Sequence, residues 1–567
     1  AGGSMAALAF AKRGLKVLVL EKGENYFTDL EHGSIDTVFS NDELKFNERS
    51  FIKVDPLLEP RSFRTGTGTD RDFVGDVNGL PTTVGGGLNH ADWKARRLRP
   101  SDFHLHDILG DQSGASVVNW PIEYEELEPF YDAVEKIVGV QGPDELPAPF
   151  APPRGAPYPM KPGVPSYVGI VLSDAATSLG LRPFAAPTGI TSRPYRGRPP
   201  CNDCGFDGNF GCPIGAKGSP AITSLRDAMS TGNVTLLPSS MAFRLNKGTV
   251  NGRNGIASVD YFDPSGVPQR VTANIFVLAA SPIESARLAL LSGFDDPGWG
   301  NSSGLLGRNL MFHFQTIAIG VFPMRLHSYR GRAITHMLDD FCGPSEVSAA
   351  IASGAPRGGT LELGGSQDVI SEGKNYQRGP QHKTLMRISP TRDRLAAMTM
   401  QGEDLPQPTN FVDLDPDLKD VYGLPIPRIT YKNHAYETLA AAFYLPTMLA
   451  IFAAAGTVFA APLGSDFPRG LLPPELEQGL IGGIGALNAV PGSRHIMGVF
   501  RMGSDPATSV TDPFGKFWDL ENVYSGDGAV WPTSAGMNPS LTVMALSYRM
   551  ASKIVGSDVP VFVPDIV

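Results

Sequence analysis

Apolar positions at the start of the chain follow a helical period and then close into an unbroken run. In "AGGSMAALAFAKRGLKVLVLEKG" the glycines open an Ala/Leu-rich amphipathic segment, and Val17–Leu20 follow as four consecutive apolar residues ending at Glu21. That order predicts a turn, a helix, a strand and a carboxylate at the strand's end. A second segment, "ANIFVLAASPIESARLALL", reads as strand, turn and helix. Its run Ile275–Ala279 is apolar on both faces, as in a buried parallel strand, and Pro282 comes early in the helix, where no amide donor is needed. "NVTLLPSSMAFRL" (Asn233–Leu245) reads as a short strand beyond a loop. Near the C-terminal end, Asn522–Ser525 predict a strand, Asp527–Gly528 a turn, and Ser540–Ile554 a helix that begins at Pro539 with Asn538 as its cap.

Between these segments the pattern changes. "TLELGGSQ", "QHKTLMRISP" and "RLAAMTMQGEDLPQ" alternate apolar and polar residues and predict strands of one sheet. Thr438–Ala461 carries no charge and is long enough to cross a bilayer. Pro446 and Gly456 interrupt it and no basic cluster flanks it, so the pattern predicts a helix buried between two layers, not a membrane span.

A chain of 567 residues can bury a large core and is expected to form two lobes. Its net charge of -10 argues against a nucleic-acid partner. Three of the four cysteines crowd into "CNDCGFDGNFGCPIGAKGS". Thiolate metal sites take four ligands of this kind or add histidine, and no histidine lies near, so no metal is expected. The segment reads as a Gly-rich loop with small buried thiols, two of Cys201, Cys204 and Cys212 being able to pair.

The opening segment has the chemistry of a nucleotide site. Backbone N–H groups at Gly2, Gly3 and Ser4 would face a pyrophosphate at the positive end of the helix. Glu21 lies 18 positions beyond Gly3 (21 − 3), close to the spacing of the acid that binds ribose hydroxyls in a βαβ unit. No strand precedes the helix, so the sequence reads as beginning inside the motif, with the first strand and any targeting segment lying before Ala1. A cytoplasmic protein is expected, with export as the alternative. In "SRHIMGVFRMGSDP" a lone histidine, His495, stands among apolar residues, where a satisfied core role is the ordinary one.

Taken together, "HIMGVFRMGSDPATSVTD", "NVYSGDGAVWPTSAGMNPSLTVMALSYRMASKIV", "TTVGGGLNHADWKARRLRPSDF", "NWPIEYEELEPFYDAVEKIVGVQG" and the cysteine loop resemble the glucose–methanol–choline (GMC) oxidoreductases, and the resemblance covers nearly the whole chain. Its bacterial branch of sugar and gluconate dehydrogenases and the pyranose oxidases are the most similar members. The cysteine loop departs from the pattern: Asp207 stands near where a further cysteine is common, and the spacing before Cys212 is longer.

The resemblance implies an α/β protein: a Rossmann-like FAD-binding domain (1–151, 200–310 and 493–567) interleaved with an α+β substrate-binding domain on an antiparallel sheet (152–199 and 311–492). It implies that FAD contacts Gly2, Gly3, Ser4 and Glu21, the loop residues Gly85, Gly86, Asn89 and His90, and further on Ala279, Asp527, Gly528, Asn538 and Pro539. His90 stands where several members bond the flavin 8α-methyl, so a covalent link is left open beside loop packing. His495 and Asn538 are implied as the catalytic pair, the histidine taking the hydroxyl proton and the amide holding the oxygen while a hydride leaves for flavin N5. The implied substrate is a sugar, glycoside or polyol, with oxygen, a quinone or another electron carrier as acceptor and a homo-oligomer left open. A bulky apolar alcohol such as a sterol, a non-redox lyase, and a flavin-holding subunit are the alternatives.

Overall fold

The structure is a computed structural model, and it describes residues 1–27, 29–30, 59–68, 70–149, 151–205, 208, 210–343, 351, 354–365, 379–388, 393–462 and 491–565. Asp207 and the last two residues of both "TLELGGSQ" and "QHKTLMRISP" lie outside these.

The first helix, Gly2–Lys12, leads into the strand Val17–Leu20, which pairs in parallel with Val234–Leu237, Val17 opposite Val234. A second parallel pair joins Phe276–Leu278 to Val523–Ser525, residues more than two hundred positions apart. The helix Ser540–Ile554 lies against the first helix, and Met5, Leu8, Leu541, Met544 and Tyr548 are all fully buried in their shared core. Each such side chain contributes about 1.5–3 kcal/mol on leaving water. The start of the first helix also crosses the chain just after the strand Val523–Ser525, so close that a Cβ on Gly2 would stand 1.6 Å from the Gly526 carbonyl oxygen. Only glycine fits there.

The second lobe rests on a six-stranded antiparallel sheet in the order Phe459–Pro462, Phe314–Val321, Leu395–Gly402, Gly359–Gly364, Ile334–Leu338 and Phe184–Ala185. A four-stranded sheet joins Phe411–Lys419 and Pro425–Thr430 to Arg61–Arg64 and Phe73–Gly75, and so draws strands from both sides of residue 310. The loop 82–103 is tied to the helix Tyr124–Val138 by Arg97, which donates from Nε to Glu135 Oε1 and from Nη2 to Glu135 Oε2, both at 2.9 Å.

Four expectations are corrected. "QHKTLMRISP" contributes to a helix, Pro380–Ile388. Proline at its first position needs no amide partner there, and Gln, Lys, Leu, Met and Arg favour helix over strand. Asn233–Leu245 supplies two strands, Val234–Leu237 and the start of Met241–Val250, with Ser239 between them at φ 52°. The apolar stretch forms a helix, Ala435–Ala454, that runs through Pro446, while Phe459–Pro462 is a strand. Among the described residues this is the one helix long and apolar enough to span a membrane. It packs on one face of the six-stranded sheet with 33% of its most apolar window buried, so it covers a single layer. The thiols of the cysteine loop are not buried: Cys201 and Cys212 are half-buried and Cys204 is exposed.

Candidate active site

One cavity of about 2050 Å³ separates the nucleotide elements from the six-stranded sheet. At one end it is bordered by Gly2, Gly3, Ser4, Glu21 and Ala279. The first helix has no side-chain cap and no acidic residue in its first turn, so its N-terminal amides are left for an anion at the cavity wall. Ser4 is turned back, its Oγ donating to Ala1 O at 2.7 Å. Glu21 accepts from the Gly23 amide at 2.7 Å through one oxygen, and burial raises its pKa. Asp527 accepts from Ser285 Oγ at 2.6 Å and from the Ala529 amide at 2.9 Å; burial raises its pKa as well. An open helix end, a carboxylate one strand away and a glycine-walled trough fit a dinucleotide such as FAD.

Farther along the same cavity are Gly85, Gly86 and His90 from the loop, Gly528 and Pro539 from the C-terminal segment, and His495. His495 Nδ1 is 2.8 Å from Nδ1 of His313, and His313 Nε2 is 3.0 Å from the Ser534 carbonyl oxygen. Burial holds His313 at about 4; burial, then His313 and Lys94, hold His495 well below the usual histidine range. Both rings are therefore neutral at neutral pH, and His495 is available as a base.

Asn538 donates from Nδ2 to Glu362 Oε1 at 3.1 Å, and its Oδ1 has no partner. The same Glu362 oxygen accepts from Gln401 Nε2 at 3.2 Å, while Oε2 meets Lys94 Nζ at 2.8 Å. Lys94 also meets Asp92 at 2.5 Å. Burial opposes charge on Lys94, but Asp92 and Glu362 outweigh it and keep its pKa above the ordinary value; burial pushes Glu362 up. Glu362, Lys94, Gln315, Thr399 and Gln401 all border the cavity opposite the nucleotide end.

GMC oxidoreductase family models match residues 167–315 and 406–547, together more than half of the chain. The chain belongs to the GMC oxidoreductase family. Like other members it is an FAD-dependent oxidoreductase that acts on CH–OH groups. It is 28% identical to the paromamine 6'-oxidase of Streptomyces fradiae over 98% of this chain and 90% of that one. It is 27% identical to the 2-methyl-1,2-propanediol dehydrogenase of Mycolicibacterium austroafricanum over 98% and 93%. The fructose dehydrogenase large subunit of Gluconobacter japonicus is 29% identical over 84% of this chain and 81% of its own. Among solved structures, pyridoxine 4-oxidase from Mesorbium loti superposes with a TM-score of 0.60 at 18% identity, covering 97% of both chains, which shows the shared fold.

In this GMC oxidoreductase two expected contacts are corrected. Asn89 does not border the cavity: it donates from Nδ2 to Val84 O at 2.7 Å and accepts from Ser219 Oγ, holding the glycine loop closed. A short amide beside a left-handed Gly85 is needed to satisfy that loop's own backbone. Asn538 is not the helix cap; Pro539 holds that position and the Asn538 amide is spent on Glu362. Asn538 likewise is not among the residues bordering the cavity. Sequence reasoning passed over Lys94, Glu362 and His313. Lys94 and Glu362 are 268 positions apart (362 − 94), and no local pattern links them. His313, in "LMFHFQ", has the look of a core residue; its one signal is that a buried imidazole needs a polar partner.

Proposed function

We propose that this enzyme oxidises a hydroxyl of a sugar, glycoside or polyol, with His495 as the base and Asn538 acting from behind the cavity wall through Glu362. The observation that carries the reading is that His495 borders one continuous cavity with the nucleotide end on one side and Gln315, Thr399, Gln401 and Glu362 on the other. Those sheet residues supply donors and acceptors to a polyhydroxylated molecule. Among the described residues the bulky apolar side chains of that sheet bordering the cavity are Ile317 and Ile334, with no Phe, Leu or Met to make a deep apolar slot. Relatives named for paromamine, 2-methyl-1,2-propanediol and fructose support the same class.

Bound FAD supplies the acceptor for the hydride and its electrons. His495 takes the hydroxyl proton, which raises electron density on the oxygen and weakens the neighbouring C–H bond. Asn538 gives one N–H to Glu362, whose carboxyl group borders the cavity, and so holds that group in place beside the reacting oxygen. The helix start at Pro539 borders the cavity and favours negative charge there. His90 is the residue for a covalent flavin link, and yellow colour left in the supernatant after acid precipitation would show that no such bond forms.

Anaerobic mixing with a panel of sugars, polyols, sterols and simple alcohols tests the substrate class. Polyhydroxylated compounds should bleach the flavin absorbance, and admission of air should restore it if oxygen is the acceptor. A flavin that dithionite reduces but that only sterols, or no alcohols, reduce would overturn the proposal.

A further inference from the structure

His495 and His313 meet edge-on, ring centroids 5.0 Å apart and planes at 83°, with the two Nδ1 atoms at 2.8 Å. One of these nitrogens must carry the hydrogen and the other a lone pair. The question is settled from the far side of His313. Its Nε2 lies 3.0 Å from the carbonyl oxygen of Ser534, which can only accept, so Nε2 bears the hydrogen. A neutral imidazole has a single N–H. Nδ1 of His313 is therefore bare, and the hydrogen between the rings belongs to His495.

Ser534 itself is held in place. Its hydroxyl donates to Glu403 Oε1 at 2.8 Å and accepts from the Asp404 amide at 2.8 Å, the Ala535 amide donates to the same Glu403 oxygen at 2.7 Å, and Arg357 Nε donates to Glu403 Oε2 at 2.9 Å. His313 is buried, 2% exposed, and burial keeps it uncharged down to about pH 4 against the upward pulls of the Ser534 carbonyl and then Glu403. The other charged group acting on His495 is Lys94, whose positive charge also disfavours a second proton on the pair.

We propose that His313 is a positioning residue that fixes the tautomer of His495, with the hydrogen on Nδ1 and the lone pair on Nε2. This rests on the reading of His495 as the base and says which of its atoms does the work. The substrate proton goes to Nε2, and the imidazolium that results keeps its Nδ1–H on His313. A carboxylate in this place would orient the ring and also raise its basicity. A neutral imidazole orients the ring and leaves its basicity low. Sequence alone offers no sign of the arrangement, since His313 and His495 are 182 positions apart.

The test is 15N NMR of protein labelled at its ten histidines, with the His495 signals assigned by their loss in His495→Asn. At neutral pH the His495 Nδ1 should show the shift of a protonated ring nitrogen and Nε2 that of a bare one. His313→Asn keeps an acceptor near the position of Nδ1 and should preserve this pattern. His313→Phe fills the ring's space without an acceptor; the two tautomers should mix, and kcat/KM should fall about 100-fold with flavin content unchanged. A hydrogen on Nε2 in the wild type, or an unaltered tautomer and kcat/KM in His313→Phe, would overturn the proposal. If His313→Phe does not fold, the wild-type and His313→Asn spectra still decide it. Full activity in His495→Asn would instead remove the base assignment while leaving the tautomer measurement intact.

Discussion

Lys94 has two carboxylates within 2.8 Å and is 9% exposed, so its charge is set by Asp92 and Glu362 and not by water. It is also one of the charges that hold the His495 pKa down, after burial and His313. The sign follows directly. A base works when neutral, and a lowered pKa keeps His495 neutral from neutral pH downward, so kcat/KM should be level there and fall only well below pH 6.5. In Lys94→Met the acid limb should move to higher pH, because a positive charge that opposed protonation is gone. The same variant leaves Asp92 and Glu362 facing each other in a shielded site and should lose about 3–5 kcal/mol of stability by urea titration. An acid limb that stays in place would mean that Lys94 does not act on His495. At this scale the place of His495 on the cavity was legible, because its motif carries it. Lys94, Glu362 and His313 were not: each is defined by a partner brought from far along the chain, and a buried charge in a sequence looks like any surface charge.

Elements were more legible than side-chain partners where the chain must pass through a narrow geometry. The helix start at Gly2–Gly3–Ser4, the parallel strands and the helix from Ser540 were all readable, since glycine at a backbone crossing and proline at a helix start admit few alternatives. The reading failed where alternation of short apolar and polar residues suits helix and strand alike, as in Pro380–Ile388. The glycine argument gives a graded expectation. Gly2→Ala places a Cβ 1.6 Å from a carbonyl oxygen and should abolish flavin binding or soluble expression, whereas Gly3→Ala meets only the Ala279 Cβ at 3.2 Å and should retain flavin with weaker affinity. Equal flavin content in both would contradict the crossing. A second expectation belongs to the start of the helix Ala435–Ala454. Glu437 accepts from the amides of Leu405 and His434, both at 2.9 Å, and acts electrostatically on buried Asp404, which accepts from Tyr431 Oη at 2.8 Å. Burial raises Glu437 to about 7 and Asp404 well above the usual carboxylate range. A raised carboxyl stabilises the fold fully below its unfolded value near 4.5, and that stability is lost as pH rises through about 7. The loss is about 3 kcal/mol. Asp404→Asn puts an amide donor against Glu437 and should lessen the fall in Tm between pH 6 and 8; parallel Tm curves for the two proteins would refute the pairing. His313 has the opposite sign, its lowered pKa costing stability as pH falls from 6.5 towards 4, so the comparison belongs above pH 6.

For the whole molecule, the cavity gathers residues from the first helix, the loop holding His90, the strand end at Ala279, the six-stranded sheet and the C-terminal helix start. The two-lobe outline could be read from motif order; the wall that chooses the substrate could not, because its polar side chains come from strands whose register no single segment specifies. A cofactor seated in that cavity touches both lobes, so it should stabilise their packing as any ligand of the folded state does. His90→Ala removes the candidate for a covalent flavin link, so that the exchange is reversible in either case. At free FAD of 100 times its Kd the gain should be about 2.7 kcal/mol. Tm of the deflavinated His90→Ala protein should therefore rise steadily with the logarithm of added FAD, by several degrees over two decades. Adenosine diphosphate should reproduce only part of the rise, since it fills the end at Gly2–Ser4 and Glu21 and leaves the end at His495 and Pro539 open. A Tm indifferent to FAD would mean that the cavity is not where the flavin binds. A full rise with the diphosphate alone would mean that the lobes are not joined through the flavin ring, and that the polar sheet wall faces the substrate without the cofactor's help.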